Sequence, residues 1–458
     1  MDHSIFSNNS EQKNSEPEEH KLKSGTLGWV TLAAMGVSFV IAGEFAAWNY
    51  GLGIGGWGGM FGALCIVAIM YFCIGFSLAE LSTIMPTAGG GCSFAERAFG
   101  PFWGYVTGLS VIFEYVLASS VIALFFNAYF VSMFGDYGGG VIVGLYLVFF
   151  LVHMMGVNES MKLLLVLAFL TLIGIVIFLA EMIPHFNMSN LSSVSDGFSA
   201  GFGGLLPESI NQIWYVMPFA IAMFLAVEGV PLSAEEAKEP HKNVPKGLIT
   251  AIIILFVISS SILIFATGGA GVAAISTGDS PLIDALKAVG TTGGVVLIIV
   301  NLAGLIGITA SFFSCIYAFS RQIYAMSRAG YLPYGLSLTN KRGAPWVAIL
   351  IPGVISYLLT LTEAADQIVF ILVLCATFSY ILMMAAHIQL RLKEKDIFRP
   401  YKTPGGLWTS GLGMLLSIVA FFSSIAGNFQ WAGYTFLLLL ICCIYYWFRK
   451  RKMNRILA

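Results

Sequence analysis

Residues 26–52 read TLGWVTLAAMGVSFVIAGEFAAWNYGL, an apolar run long enough to cross a bilayer as helix, with Gly43 and Glu44 set in its middle. Residues 213–232 repeat the arrangement, because Phe224, Leu225, Ala226, Val227, Glu228, Gly229, Val230 and Pro231 again put a Glu beside a Gly inside an apolar run. A helix broken in hydrocarbon frees N–H and C=O groups that lipid cannot satisfy but a bound solute or ion can. An ionised carboxylate at that depth costs from roughly 2.5 kcal/mol upwards, so it faces a cavity, meets a cation or takes a proton. Ala42, Gly43, Glu44, Phe45, Ala226, Glu228 and Gly229 are therefore candidate solute-binding positions. The competing use of Gly43 and Gly229 is close approach of neighbouring helices.

Outward from these two runs the whole chain is apolar: 58% of its 458 residues are hydrophobic and 10% charged, against roughly 25% charged in soluble domains. A soluble fold is excluded, and no alternating pattern suggests a barrel, so the expected class is an all-α membrane protein. Twelve candidate spans follow, at about 26–52, 56–81, 102–134, 138–155, 161–182, 213–232, 248–268, 295–325, 346–361, 368–390, 407–426 and 431–447. Residues 1–24 are polar and read as a disordered cytosolic tail without the apolar core of a signal peptide. Residues 25–390 form a ten-helix core, 391–406 a cytosolic loop, 407–448 two further helices and 449–458 a basic cytosolic end.

Charge sets the orientation. With a cytosolic N-terminus, every Lys and Arg except Lys287 falls on the cytosolic side, while the opposite loops carry Asp136, Asp196, Glu208, Asp279, Asp284, Glu363 and Asp366. The positive-inside rule then puts both termini in the cytosol, with Arg449, Lys450, Arg451 and Lys452 anchoring the last span. The seven cysteines have neither zinc nor redox spacing and read as small core residues.

Glu114 is a third acid well inside a span, followed by Tyr115. No Lys or Arg lies at comparable depth, so Glu44, Glu114 and Glu228 are left with a proton, a metal ion or a transported cation. For Glu114 the alternative is a protonated carboxyl hydrogen-bonded between helices. Phe45, Trp48, Tyr115 and Phe224 flank these positions, and an aromatic wall beside a carboxylate suits an ammonium group.

Four longer matches carry a resemblance. Ser77-Leu78-Ala79-Glu80-Leu81 with Pro86-Thr87-Ala88-Gly89-Gly90 ends the second span; Ala234-Glu235-Glu236-Ala237-Lys238-Glu239-Pro240 with Val244-Pro245-Lys246 follows the sixth. Ser320 to Gly330 and Arg399-Pro400-Tyr401-Lys402-Thr403-Pro404-Gly405 are the others. In these the chain resembles the amino acid–polyamine–organocation transporter superfamily across all twelve spans. The resemblance implies a LeuT-like fold of two five-helix inverted repeats with broken first and sixth helices, two peripheral helices, and alternating access to a site between the breaks. Ala42 to Leu52 and Glu114-Tyr115-Val116-Leu117 look most like the ethanolamine permease branch. Relatives that carry amino acids are expected to hold the substrate carboxylate on free amides at the first break, where Glu44 here would repel it. An amine without a carboxylate is the better guest.

Many relatives have a Lys inside the fifth span that resembles a stand-in for sodium; here Thr171 falls at that place. Coupling stays open between sodium near Ser311 or Ser314, a proton on Glu44 or Glu228, and uncoupled facilitation. The expected partners are ethanolamine or a similar small organic cation, a coupling H+ or Na+, and membrane lipids of the bacterial inner membrane, with no nucleic acid, cofactor or resident metal. Permeases for cationic or neutral amino acids or polyamines are the alternative within the class. A membrane enzyme finds no H-E-x-x-H motif, nucleophile–base pair or clustered His here, and a sensor of transporter ancestry would bind ligand without flux.

Overall fold

The computed structural model describes residue 25 and residues 27–87, 89–155, 157–192 and 210–457. The tail 1–24, Ala88, Asp196 and Glu208 lie outside them. The chain runs through α1 (Trp29–Val40), α2 (Ala42–Phe45), α3 (Trp48–Ile84), α4 (Gly91–Phe99), α5 (Pro101–Phe134), α6 (Gly140–Met154), α7 (Val157–Met182) and α8 (Met188–Ser192). It continues as α9 (Ile210–Ala222), α10 (Gly229–Leu232), α11 (Pro240–Ala270), α12 (Val272–Ile275), α13 (Pro281–Ala288) and α14 (Val295–Arg328). It ends with α15 (Trp346–Thr360), α16 (Ala365–Lys393), α17 (Leu407–Gly427) and α18 (Phe429–Leu457). Helices are the form in which an apolar chain satisfies its own backbone in lipid. Among the described residues the only β feature is an isolated parallel bridge between Leu27 and Ala237.

Among the described residues eight helices are long and apolar enough to cross a membrane, namely α3, α5, α7, α11, α14, α16, α17 and α18. Shorter apolar helices over Trp29–Val40, Gly140–Met154, Gln212–Ala222 and Trp346–Thr360 fall where the sequence predicts four more spans. The predicted boundary at 52–56 is a kink inside one helix, where Gly56 leaves helical geometry at φ 64°. The most apolar stretch of α5 is 78% buried and that of α18 17%, which puts α5 at the centre and α18 at the edge. α5 packs on α14 and α16, α1 on α11, and α3 on α9 and α11. Leu147, Phe169, Leu415 and Leu437 face outward, as side chains against lipid do.

Glycines expected at the two breaks lie within short helices instead, and the unwinding lies beside them. Ala46 is extended and Ala47 takes φ 80°, just after α2. In the second run residues 223–228 are turns, with Ala226 at φ 75°. Left-handed backbone at alanine is sparsely populated and costs about 1–3 kcal/mol. Gly43 and Gly229 serve close approach. A Cβ on Gly43 would sit 2.1 Å from the Ala222 carbonyl oxygen, and one on Gly229 2.6 Å from the Phe39 ring.

Ion pairs gather on the face that carries Leu27. Glu80 accepts from Arg391 and the Thr403 N–H and is ion-paired with Arg399 at 3.0 Å, with His387 3.3 Å away. Arg97 pairs with Glu394, and the loop between α10 and α11 is pinned there through Leu27 N–H to the Glu236 carbonyl and Lys238 N–H to the Leu27 carbonyl.

Candidate functional site

The first helix ends because a hydroxyl is inserted into its ladder. Ala42 N–H would ordinarily bond to the carbonyl four residues back, Ser38. Instead Ala42 N–H donates to Ser311 Oγ at 2.9 Å, and that hydroxyl donates to the Ser38 carbonyl at 2.6 Å. An inserted side chain of this kind opens and bends a helix. The carbonyls released beyond it are also met by side chains: Tyr129 donates to Phe45 O at 2.9 Å, and the Trp48 indole to Glu44 O at 3.0 Å.

The second break carries the acids. Tyr115 donates to Glu228 Oε1 at 3.0 Å, with the Ala226 carbonyl 3.3 Å from the same hydroxyl. Tyr380 donates to Glu228 Oε2 at 2.7 Å and stands 3.4 Å from Glu114 Oε1 and 3.2 Å from the Tyr71 hydroxyl. The Tyr380 hydroxyl thus bridges Glu114 and Glu228; both are buried, and Glu114 Oε2 has no partner. Among the described residues no Lys, Arg or His pairs with either acid.

The hydrogen count is short. Two tyrosine protons, of Tyr115 and Tyr380, serve three carboxylate oxygens and a carbonyl, Tyr71 meets the Tyr380 hydroxyl, Glu114 Oε2 has no partner, and each such oxygen accepts up to two bonds. The cluster has room for donors that it does not contain. An ammonium group brings three.

Between the breaks lies a cavity of about 50 Å³, walled by Ala42 and Gly43 of α2, Ala226 of the second break, and apolar side chains such as Phe39, Val121 and Leu225. It adjoins the acids through Ala226 and through Phe39, whose ring lies 5.9 Å from that of Tyr115. A second chamber of about 540 Å³ is lined by polar groups including Asn127, Asp136, Asp279 and Glu363.

The candidate residues thus divide. Ala42, Gly43 and Ala226 line the inner cavity; Glu114, Tyr115 and Glu228 form one cluster, and Phe224 backs it by stacking on Tyr71 at 5.3 Å. Glu44 is turned to α11, where Ser259 donates to its Oε1 at 2.5 Å, and it is not part of the cavity wall. Phe45 packs on Tyr129 at 5.8 Å and Trp48 is fully buried beside α2. Ser311 alone of the three ion-coupling candidates touches the first break: Ser314 bonds to Ala310 O and Thr171 to Leu167 O, each within its own helix. Tyr71, Tyr380 and Ser259 went unread, although a tyrosine in mid-span carries a hydroxyl that must find a partner there.

Apolar helices, two of them interrupted at a shared internal cavity with buried acids beside it, define a multi-pass membrane protein of the carrier type. Residues 27–449 match the model of the amino acid permease family, and the chain belongs to that family. It is similar to the branched-chain amino acid permease BcaP of Bacillus subtilis, at 25% identity over 86% of each chain. It is also similar to the aromatic amino acid transport protein AroP of Escherichia coli, at 23% over 78% of this chain and 79% of the relative. The methylthioribose transporter of Bacillus subtilis is 26% identical over 56% of this chain and 57% of its own.

Proposed function

We propose that this permease is a secondary carrier for ethanolamine or a closely related small amino alcohol. The observation that supports the reading is the Glu114–Glu228 pair, short of hydrogens and without a basic partner, beside a cavity of about 50 Å³. At roughly 10–15 Å³ per water-sized group, that volume holds about four non-hydrogen atoms, the size of ethanolamine. The ammonium would take the acids and Tyr380, while the remainder sits against Ala42, Gly43, Phe39 and Ala226. Phe224 and Gly229 keep the wall closed, the latter by admitting the Phe39 ring.

The architecture proposed for this activity has twelve spans, two inverted repeats of five with breaks in the first and sixth, and two peripheral helices. Both termini lie in the cytosol of a bacterial cell, and access alternates across the inner membrane. Coupling stays open between Na+ beside Ser311 at the first break, a proton on Glu44 or Glu228, and uncoupled facilitation.

A second reading is favoured by the apolar wall of the cavity and by the names of the relatives: a neutral amino acid whose side chain lies on Phe39, Val121 and Leu225. Uptake of labelled ethanolamine into proteoliposomes, competed by choline, alanine, leucine and putrescine with and without sodium, separates them. Uptake blocked by ethanolamine and not by leucine supports the first reading. No ethanolamine uptake, with leucine or alanine carried well, overturns it.

A further inference from the structure

We infer that Phe125 is the barrier between the polar outer chamber and the inner cavity, the side chain a solute must displace to pass from one to the other. Phe125 is the residue common to the walls of both, and it is 4% exposed. The helices on either side carry the same path. On α5, Ala118, Val121 and Ile122 line the inner cavity and Asn127, Ala128 and Val131 the outer chamber, a stripe at helical spacing with Phe125 at its middle. On α16, Val369 and Leu372 border the inner cavity and Ala365 the outer chamber. At 1.5 Å per residue, Phe125 lies about 15 Å along α5 from Tyr115, so one helix face presents chamber, barrier, cavity and acids in order.

The chemistry changes at the same point. Outside Phe125 the wall is mixed and carries the acids Asp136, Asp279 and Glu363, with the side-chain oxygen of Asn127 lacking a partner; inside, it is apolar until the Glu114–Glu228 cluster. An aromatic ring at such a boundary opens by a change of χ1 without unfolding α5. The inference rests on the inner cavity being the solute site, and its test reads the barrier independently of any solute.

Cys315 lines the inner cavity and is fully buried, which makes it a native reporter. Vesicles of each orientation would be treated with a membrane-impermeant trimethylammonium methanethiosulfonate, and labelling at Cys315 followed by peptide mass spectrometry. Phe125→Ala is expected to speed that labelling at least about tenfold from the chamber side, and Phe125→Trp to slow it. A thiol placed in the chamber by Gly139→Cys should react at one rate in all three backgrounds. Unchanged Cys315 labelling in both variants, or equal acceleration at Gly139→Cys, overturns the assignment, and Phe125→Trp alone suffices where the alanine variant does not fold. Faster labelling in a protein that carries no ethanolamine leaves the barrier standing and removes the substrate reading.

Discussion

The Ser311 hydroxyl donates to the Ser38 carbonyl at 2.6 Å, and by that contact α14 holds open a helix to which it is not joined in sequence. The opening is reversible in principle, since Ala42 N–H and Ser38 C=O are each other's ordinary partners.

Ser311→Ala is therefore expected to let α1 run on into α2. Transport should fall by at least about tenfold while thermal stability changes by only about 1 kcal/mol, because one direct hydrogen bond replaces the two that pass through the hydroxyl. Ser311→Thr keeps the hydroxyl and should retain activity. Full uptake by Ser311→Ala, measured beside a detergent melting curve, would remove the role given to this contact.

Glu228→Gln should weaken ethanolamine binding by more than about tenfold, or about 1.4 kcal/mol. Tyr380→Phe, which removes the donor that stands between Glu228 and Glu114, should act in the same direction, and a double-mutant cycle should show the two effects to be coupled. Glu44→Gln should leave affinity closer to wild type, because the Glu44 carboxyl is turned to Ser259. An affinity loss confined to Glu44→Gln would mean that the first break, and not the acid pair, holds the amine.

Gly43→Ala places a methyl 2.1 Å from the Ala222 carbonyl oxygen, part of a backbone that cannot step aside. Forcing the broken helices apart should cost about 1–3 kcal/mol, read as a lower melting temperature. A melting temperature equal to wild type would mean that the two breaks do not touch.

Arg321 donates to Glu236 Oε1 at 3.3 Å, Tyr317 to the same oxygen at 2.8 Å, and both charged side chains are almost wholly buried. Arg321→Ala should destabilise by about 3–5 kcal/mol, since it removes a buried cation that faces Glu236. Adding Glu236→Gln should recover much of the loss. Equal melting of the single and double variants would contradict a paired charge at this position.

The helices were legible because runs of apolar residues must bury their backbone polarity, and the limits at Val295, Trp346 and Leu407 come out as read. Paired breaks were legible as carboxylates set in such runs. Their placement was not. Glycine beside glutamate suggested unwinding at Gly43 and Gly229, whereas the left-handed residues are Ala47 and Ala226, which no propensity singles out. The direction of Glu44 also escaped, since the face on which a four-residue helix presents its side chain depends on Ser259, 215 positions away. Tyr71 and Tyr380 look like ordinary span aromatics until the fold sets the Tyr380 hydroxyl against Glu228 and Glu114 and the Tyr71 hydroxyl against that of Tyr380.

The bridge at Leu27 ties the segment before α1 to the loop after α10 by two backbone hydrogen bonds, at 3.2 and 2.8 Å. Any swing of α10 away from α1 must break them, so this end of the chain is a mechanical handle on the second break. A pull on the chain at Leu27 would therefore be felt first in the loop that leads from α10 into α11.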